Sequence, residues 1–128
     1  MTEHVGTGKR FKIKGNEIIV SAGFDPRYQR GAEGELLNTL QTLMDETGSG
    51  IFVLDLHRCD TLPSMLIGIV VESHRRVAAV GGGLVLRIRS EHRKSLPDEA
   101  LQRLFVEQGE LTDEDGVAYI EFVSPKSS

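Results

Sequence analysis

Cysteine is all but missing from this sequence. The single thiol, Cys59, has no second cysteine to pair with inside the chain. That excludes an internal disulfide framework and points to a reducing, cytoplasmic compartment. Long apolar runs are missing too: no stretch reaches the roughly 18 residues that a membrane-crossing helix requires. The opening Met1-Thr2-Glu3-His4 lacks the basic-then-apolar pattern of a secretory leader. A surplus of positive charge is also lacking. The 15 lysines and arginines face 19 aspartates and glutamates, for a net charge of -4. Nucleic-acid binding draws most of its affinity from a basic face. No nucleic-acid partner and no membrane insertion are therefore expected.

What is present suits one folded domain. The 128 residues are 39% apolar and 27% charged, ordinary for a globular chain. A domain of that length buries roughly two-thirds of its unfolded surface, enough to fold without a disulfide or a metal. Residues 1–10 read as a flexible arm, 11–123 as the single domain and 124–128 as a polar tail. Phe11, Ile13, Ile18 and Val20 flank Gly15-Asn16, the pattern of two short strands around a tight turn. Residues 23–34 read as a loop. Leu36, Leu37, Leu40, Leu43 and Met44 then recur at helical spacing, and Thr47-Gly48-Ser49-Gly50 ends that helix.

The most informative stretch runs from residue 51 to residue 64. Residues 51–56 are almost wholly apolar and of strand length, which predicts a central strand buried on both faces beneath helices. Residues 57–63 read as a polar connection. Residues 64–80 read as a second long helix, stopped by Gly81-Gly82-Gly83, and residues 84–88 as another apolar strand. Strand, helix and strand in that order imply a right-handed parallel crossover. A shorter third helix is expected over about 96–104, where Pro97, Asp98 and Glu99 suit a first turn. The acidic residues 112–116 read as a turn, and Val117, Tyr119 and Phe122 as a final strand.

Ser64 follows Pro63 directly and opens the second helix. A serine there can act as an N-cap, accepting a hydrogen bond from a first-turn N–H. The same exposed hydroxyl also suits a phosphate, which would sit at the favourable end of the helix dipole. On a helical projection Leu66, Ile69, Val70, Ser73, Val77 and Val80 share one face, the expected core face. Met65, Ile67 and Val71 fall away from it near the helix start, and Glu72, Arg75 and Arg76 further along. The extra apolar residues are either covered by a neighbouring segment or exposed as a docking patch.

Val53-Leu54-Asp55-Leu56, then Ser64, then a helix with Gly68 resemble the STAS domain of anti-sigma factor antagonists. In that family an apolar strand ending in Asp-Leu leads to an Asp-Ser-Ser-Gly-Leu-Gly motif at the start of the second helix. Laid on this chain, the motif covers Pro63-Ser64-Met65-Leu66-Ile67-Gly68. Gly23-Phe24-Asp25 is similar to the family's Gly-x-Asp before the first helix, and Gly82-Gly83-Leu84-Val85-Leu86 to its glycine-to-strand passage. The likeness spans about 11–104.

The resemblance implies an α/β fold, a STAS-like mixed β-sheet of four to six strands backed by two or three helices. It also implies a bacterial, cytoplasmic, non-enzymatic regulator that acts by partner switching. Ser64 falls on the serine that a kinase phosphorylates in switching members. Asp25, Pro63, Ser64, Met65, Ile67, Gly68 and Val71 would then form the surface that meets a serine-kinase-type anti-sigma factor. No cofactor and no metal are implied, and a homo-oligomer stays open. Pro63 stands where the motif has aspartate, and Met65-Leu66 where it has Ser-Gly. These departures favour a second reading, a non-switching scaffold subunit of a signalling or transport assembly.

Other constellations point elsewhere. Asp55, His57, Cys59 and Asp60 crowd one loop. A metal there would need further converging ligands, and His4, His74 and His92 are scattered. Cys59 as a nucleophile would need a base and an orienting group. A small enzyme or nucleotide-binding protein using this loop is the third reading. Gly6-Thr7-Gly8-Lys9 lacks the spacing of a phosphate loop and follows no strand. Arg87, Arg89, His92, Arg93 and Lys94 form either a solvated edge or a contact for an acidic partner or a nucleotide phosphate. Asp25 either caps the first helix or shapes a turn, unless it borders the partner surface as the resemblance implies.

Overall fold

The computed structural model describes residues 10–124, apart from the side chains of Asp98 and Ala100. The expected arm apart from Arg10, the tail apart from Ser124, and with them His4 and Gly6-Thr7-Gly8-Lys9, lie outside these residues. The first two strands are β1 (Phe11–Lys14) and β2 (Glu17–Val20), joined at Gly15, whose φ of 62° suits the first central position of a tight hairpin turn. Helix α1 (Ala32–Thr47) starts three residues earlier than the expected loop allows, after Gly31. Strand β3 (Ile51–Leu56), helix α2 (Ser64–Ala79) and strand β4 (Gly83–Arg89) follow. A 3-10 helix (Ser90–Ser95), which buries no side chain and has no apolar pattern to announce it, precedes α3 (Asp98–Leu104). The chain closes with β5 (Val106–Thr112) and β6 (Ala118–Val123).

The six strands form one mixed sheet in the order β1-β2-β3-β4-β6-β5. Strands β2, β3 and β4 are parallel, and the α1 and α2 crossovers join them. β1 lies antiparallel at one edge, and the β5–β6 hairpin is antiparallel at the other. The α/β class with a mixed sheet is thus as expected.

Directly paired residues share a face of the sheet, so the register assigns both faces. Ile18, Leu54, Leu86 and Phe122 stand in one row across β2, β3, β4 and β6. All four are buried, and they join Leu36, Leu40, Leu66, Ile69, Val70 and Leu101 from the three α-helices in one core. The opposite face carries Glu17, Val53, Val85, Val123 and Val106 in one row, and Ile19, Asp55, Arg87 and Glu121 in the next. Among the described residues no helix covers that face. The expectation that β3 lies beneath helices on both sides is therefore corrected. Its apolar run is interrupted by Asp55, and it fills one core row while the other row packs against charged neighbours on the open face.

Helix α2 needs one further correction. Val80 lies beyond its end and is 46% exposed, outside the core face. The turn that follows is tight. The Gly82 N–H donates to Val77 O at 3.0 Å, and a Cβ on Gly82 would come within 2.7 Å of Gly50 O. Glycine is required there because the start of β4 passes against the start of β3. At the far end, Ser124 is buried: its Oγ accepts from the Leu84 N–H at 2.8 Å.

Candidate functional site

Helix α2 begins at the C-terminal end of β3, where the parallel strands leave the sheet. Pro63, with φ -72° and ψ 162°, is the cap residue, and no described side chain caps the helix. The expectation of an N-cap serine is thus corrected by one position. Ser64 is the first helical residue, and the cap belongs to a proline whose extended backbone cannot continue the turn backwards. Pro63 O still accepts from the Leu66 and Ile67 N–H groups at 2.9 and 3.2 Å. Ser64 is exposed, and its hydroxyl bonds to no described residue. Among the described residues no side chain caps the earliest N–H groups of the helix, which lie beside that hydroxyl.

Ser64, Gly68 and Val71 recur at helical spacing on one exposed face, with Met65 beside them. Met65 is 43% and Val71 38% exposed. Ile67 is different: it is half-buried and packs against the core. It lines a shallow groove of about 340 Å³ with Leu62, Ser64, Ser95, Leu96 and Pro97. The predicted docking residues of α2 therefore divide. Met65, Gly68 and Val71 form a ridge, and Ser64 and Ile67 form one wall of the groove beside it.

Asp25 stands in the loop after β2, also at the C-terminal edge of the parallel strands. It shapes a turn and does not cap α1, which starts after Gly31. Its carboxylate accepts from the Arg27 backbone N–H at 3.1 Å and from both arms of the Arg27 guanidinium at 3.0 and 2.7 Å. That fork holds the Asp25 carboxyl below its ordinary pKa. The Asp60 N–H donates to Ala22 O at 3.1 Å, so this loop and the one leading to Ser64 are bound together.

The connection after β3 is less polar in space than in sequence. His57 and Cys59 are both buried. His57 Nδ1 lies 2.6 Å from Asp55 Oδ1, and Nε2 lies 2.8 Å from Asp113 Oδ2 in the β5–β6 turn. Its ring also lies against that of Tyr119, 4.6 Å between centroids. This bridge joins residues 56 positions apart, and nothing local in the sequence announces it. Burial, with the nearby Asp55 charge, pushes the Cys59 thiol up to about 12. A thiol so held is a poor nucleophile at neutral pH. Among the described residues no three His, Cys, Asp or Glu side chains converge as a metal-ligand set.

The basic cluster disperses. Arg87 lies on the open face and pairs with Glu17, Asp55 and Glu121. Arg93 pairs with Glu107. Arg89 instead donates to His57 O at 3.2 Å and Arg58 O at 3.1 Å. No helix among the described residues is long and apolar enough to cross a membrane. No protein-family model, no curated protein and no solved structure matches this chain.

Proposed function

We propose that this domain regulates by binding another protein through the start of α2, in the manner of an anti-sigma factor antagonist with a STAS-like fold. The observation that carries the reading is the exposed Ser64 hydroxyl at the first helical position, bonded to no described residue and flanked by exposed Met65 and Val71 and by the groove at Ile67. An apolar ridge beside a polar rim is the composition of a docking patch. In this reading the partner is a serine-kinase-type anti-sigma factor of the cytoplasm, and unmodified Ser64 packs against it. A phosphate on Ser64 adds close to two negative charges at neutral pH. The open first-turn N–H groups stabilise it there. The same charge has to be desolvated against an apolar partner surface, which releases the partner.

The test uses the cognate serine kinase with ATP and phosphate-affinity electrophoresis. The wild type gives a shifted band and Ser64→Ala gives none, while Ser64→Asp weakens the partner complex about tenfold or more, the scale of one buried unpaired charge. No shift, or an undiminished shift in Ser64→Ala, sinks the switch. A large homo-oligomer in light scattering together with no shift would favour the scaffold reading, which Pro63 and Met65-Leu66 support.

A further inference from the structure

A second concavity lies on the open face of the sheet, above the C-terminal ends of β3 and β4, and shares no lining residue with the groove beside Ser64. It encloses about 430 Å³, within the range of small-molecule sites. One wall is the β1–β2 hairpin with Lys12, Ile19 and Val20. The other is the β5–β6 turn with Asp113, Asp115 and Val117, and Arg58 and Arg89 complete the lining.

Arg10, Arg27, Arg75, Arg76, Arg87 and Arg93 all have carboxylate partners. Lys14, Arg30, Lys94 and Arg103 have no carboxylate partner among the described residues, but none of them lines a described cleft with another unpaired cation. Lys12, Arg58 and Arg89 also have none among the described residues, yet all three line this one cleft. Arg89 is also half-buried and held in place, because its Nε and one terminal nitrogen donate to the His57 and Arg58 carbonyls. Its guanidinium is preorganised, and no described carboxylate forms an ion pair with it.

Asp113 lines the same cleft but forms no ion pair with Arg89. Asp113 Oδ1 accepts from the Asp115 and Val117 N–H groups at 2.8 and 2.9 Å, and Oδ2 faces His57. That carboxylate is turned into the protein and occupied. Asp115 is exposed and is the second acidic residue of the lining. Three cations, one of them fixed, beside the apolar side chains of Ile19 and Val117 describe a receptor for an anion with an apolar body. Arginine forks and a lysine point charge match the oxygens of a phosphate dianion.

We propose that this cleft binds a small organic phosphate monoester, its phosphate on Arg58, Arg89 and Lys12 and its apolar body on Ile19 and Val117. The proposal stands independently of the Ser64 reading. Titration of the full chain with phenyl phosphate, followed by amide chemical shifts, tests it. Saturable shifts are expected at Lys12, Ile19, Arg58, Arg89 and Val117, with inorganic phosphate binding more weakly because it lacks the apolar body. Arg58→Ala and, separately, Lys12→Ala should each weaken phenyl phosphate about tenfold, the scale of one lost charge-assisted contact. Both side chains are exposed and bond to no described residue, so both variants should fold as the wild type does. Ser64→Ala should bind as the wild type. Absence of saturation, shifts centred away from the cleft, or unchanged affinity in both Arg58→Ala and Lys12→Ala would overturn the proposal.

Discussion

Cys59 shows how little sequence adjacency says about chemistry. It stands two positions from His57, yet its thiol lies at 0% exposure with Sγ 3.8 Å from Ser21 O, while both ring nitrogens of His57 face carboxylates. With its pKa pushed to about 12 from 9.0, the native thiol at pH 8 holds roughly a thousandfold less thiolate than an ordinary cysteine. Native protein should therefore react with a disulfide reagent at pH 8 only through opening, and urea should release the thiol at once. Stoichiometric reaction within the mixing time in native buffer would contradict this. Ser64 was legible to within one position. The Pro-Ser pair marks a helix start, but the pattern alone does not say whether the proline or the serine is the last non-helical residue, and the extended ψ of Pro63 decides it. Arg58, Arg89, Lys12 and Asp113 were not legible as a group. They come from four separate segments that only the sheet register brings together.

At the scale of elements, most of the sheet and all three α-helices follow from apolar periodicity, because each buries one face in a shared core. Strand β5 did not follow. Its residues, Val-Glu-Gln-Gly-Glu-Leu-Thr, are exposed along nearly the whole strand and carry no alternation to read. It exists because β6 offers a ladder, and it bends where Gly109 takes a φ of 133° at the register shift. The hairpin turn is tied to the body through Asp113 and His57. The Val117 N–H, then His57, hold the Asp113 carboxyl below its ordinary 3.8. A depressed acid contributes stability that is present above the unfolded pKa and lost as pH falls through the folded one. The urea midpoint of the wild type should exceed that of Asp113→Asn by a constant margin above about pH 5, and the margin should shrink toward about pH 3. A margin that is flat over this range would show that Asp113 acts by shape alone.

At the scale of the whole molecule, one core unites β1, β2, β3, β4, β6 and the three α-helices, and β5 contributes no buried side chain to it. Each large side chain in that core, Phe52 or Leu66 for example, stabilises the fold by roughly 1.5–3 kcal/mol through burial. Opening the elements that share it therefore has to approach global unfolding. Strand β5 is held by backbone hydrogen bonds to β6, by the exposed Arg93–Glu107 pair and by the turn at Asp113, so it can detach without exposing the core. Local opening free energy scales with what must be exposed, from near zero at frayed edges to the global value in core strands. In hydrogen exchange the ladder amides of β3 and β4 should persist longest. Those of β5 that bond to β6 should exchange earlier by about two orders of magnitude or more, equivalent to at least roughly 3 kcal/mol of difference in opening. His57→Ala, which cuts the tie to the turn, should accelerate β5 further and leave β3 unchanged apart from any global loss. Equal protection of β5 and β3 would mean that the hairpin opens only with the core, and the edge strand would then belong to the same cooperative unit as the helices on the other side of the sheet.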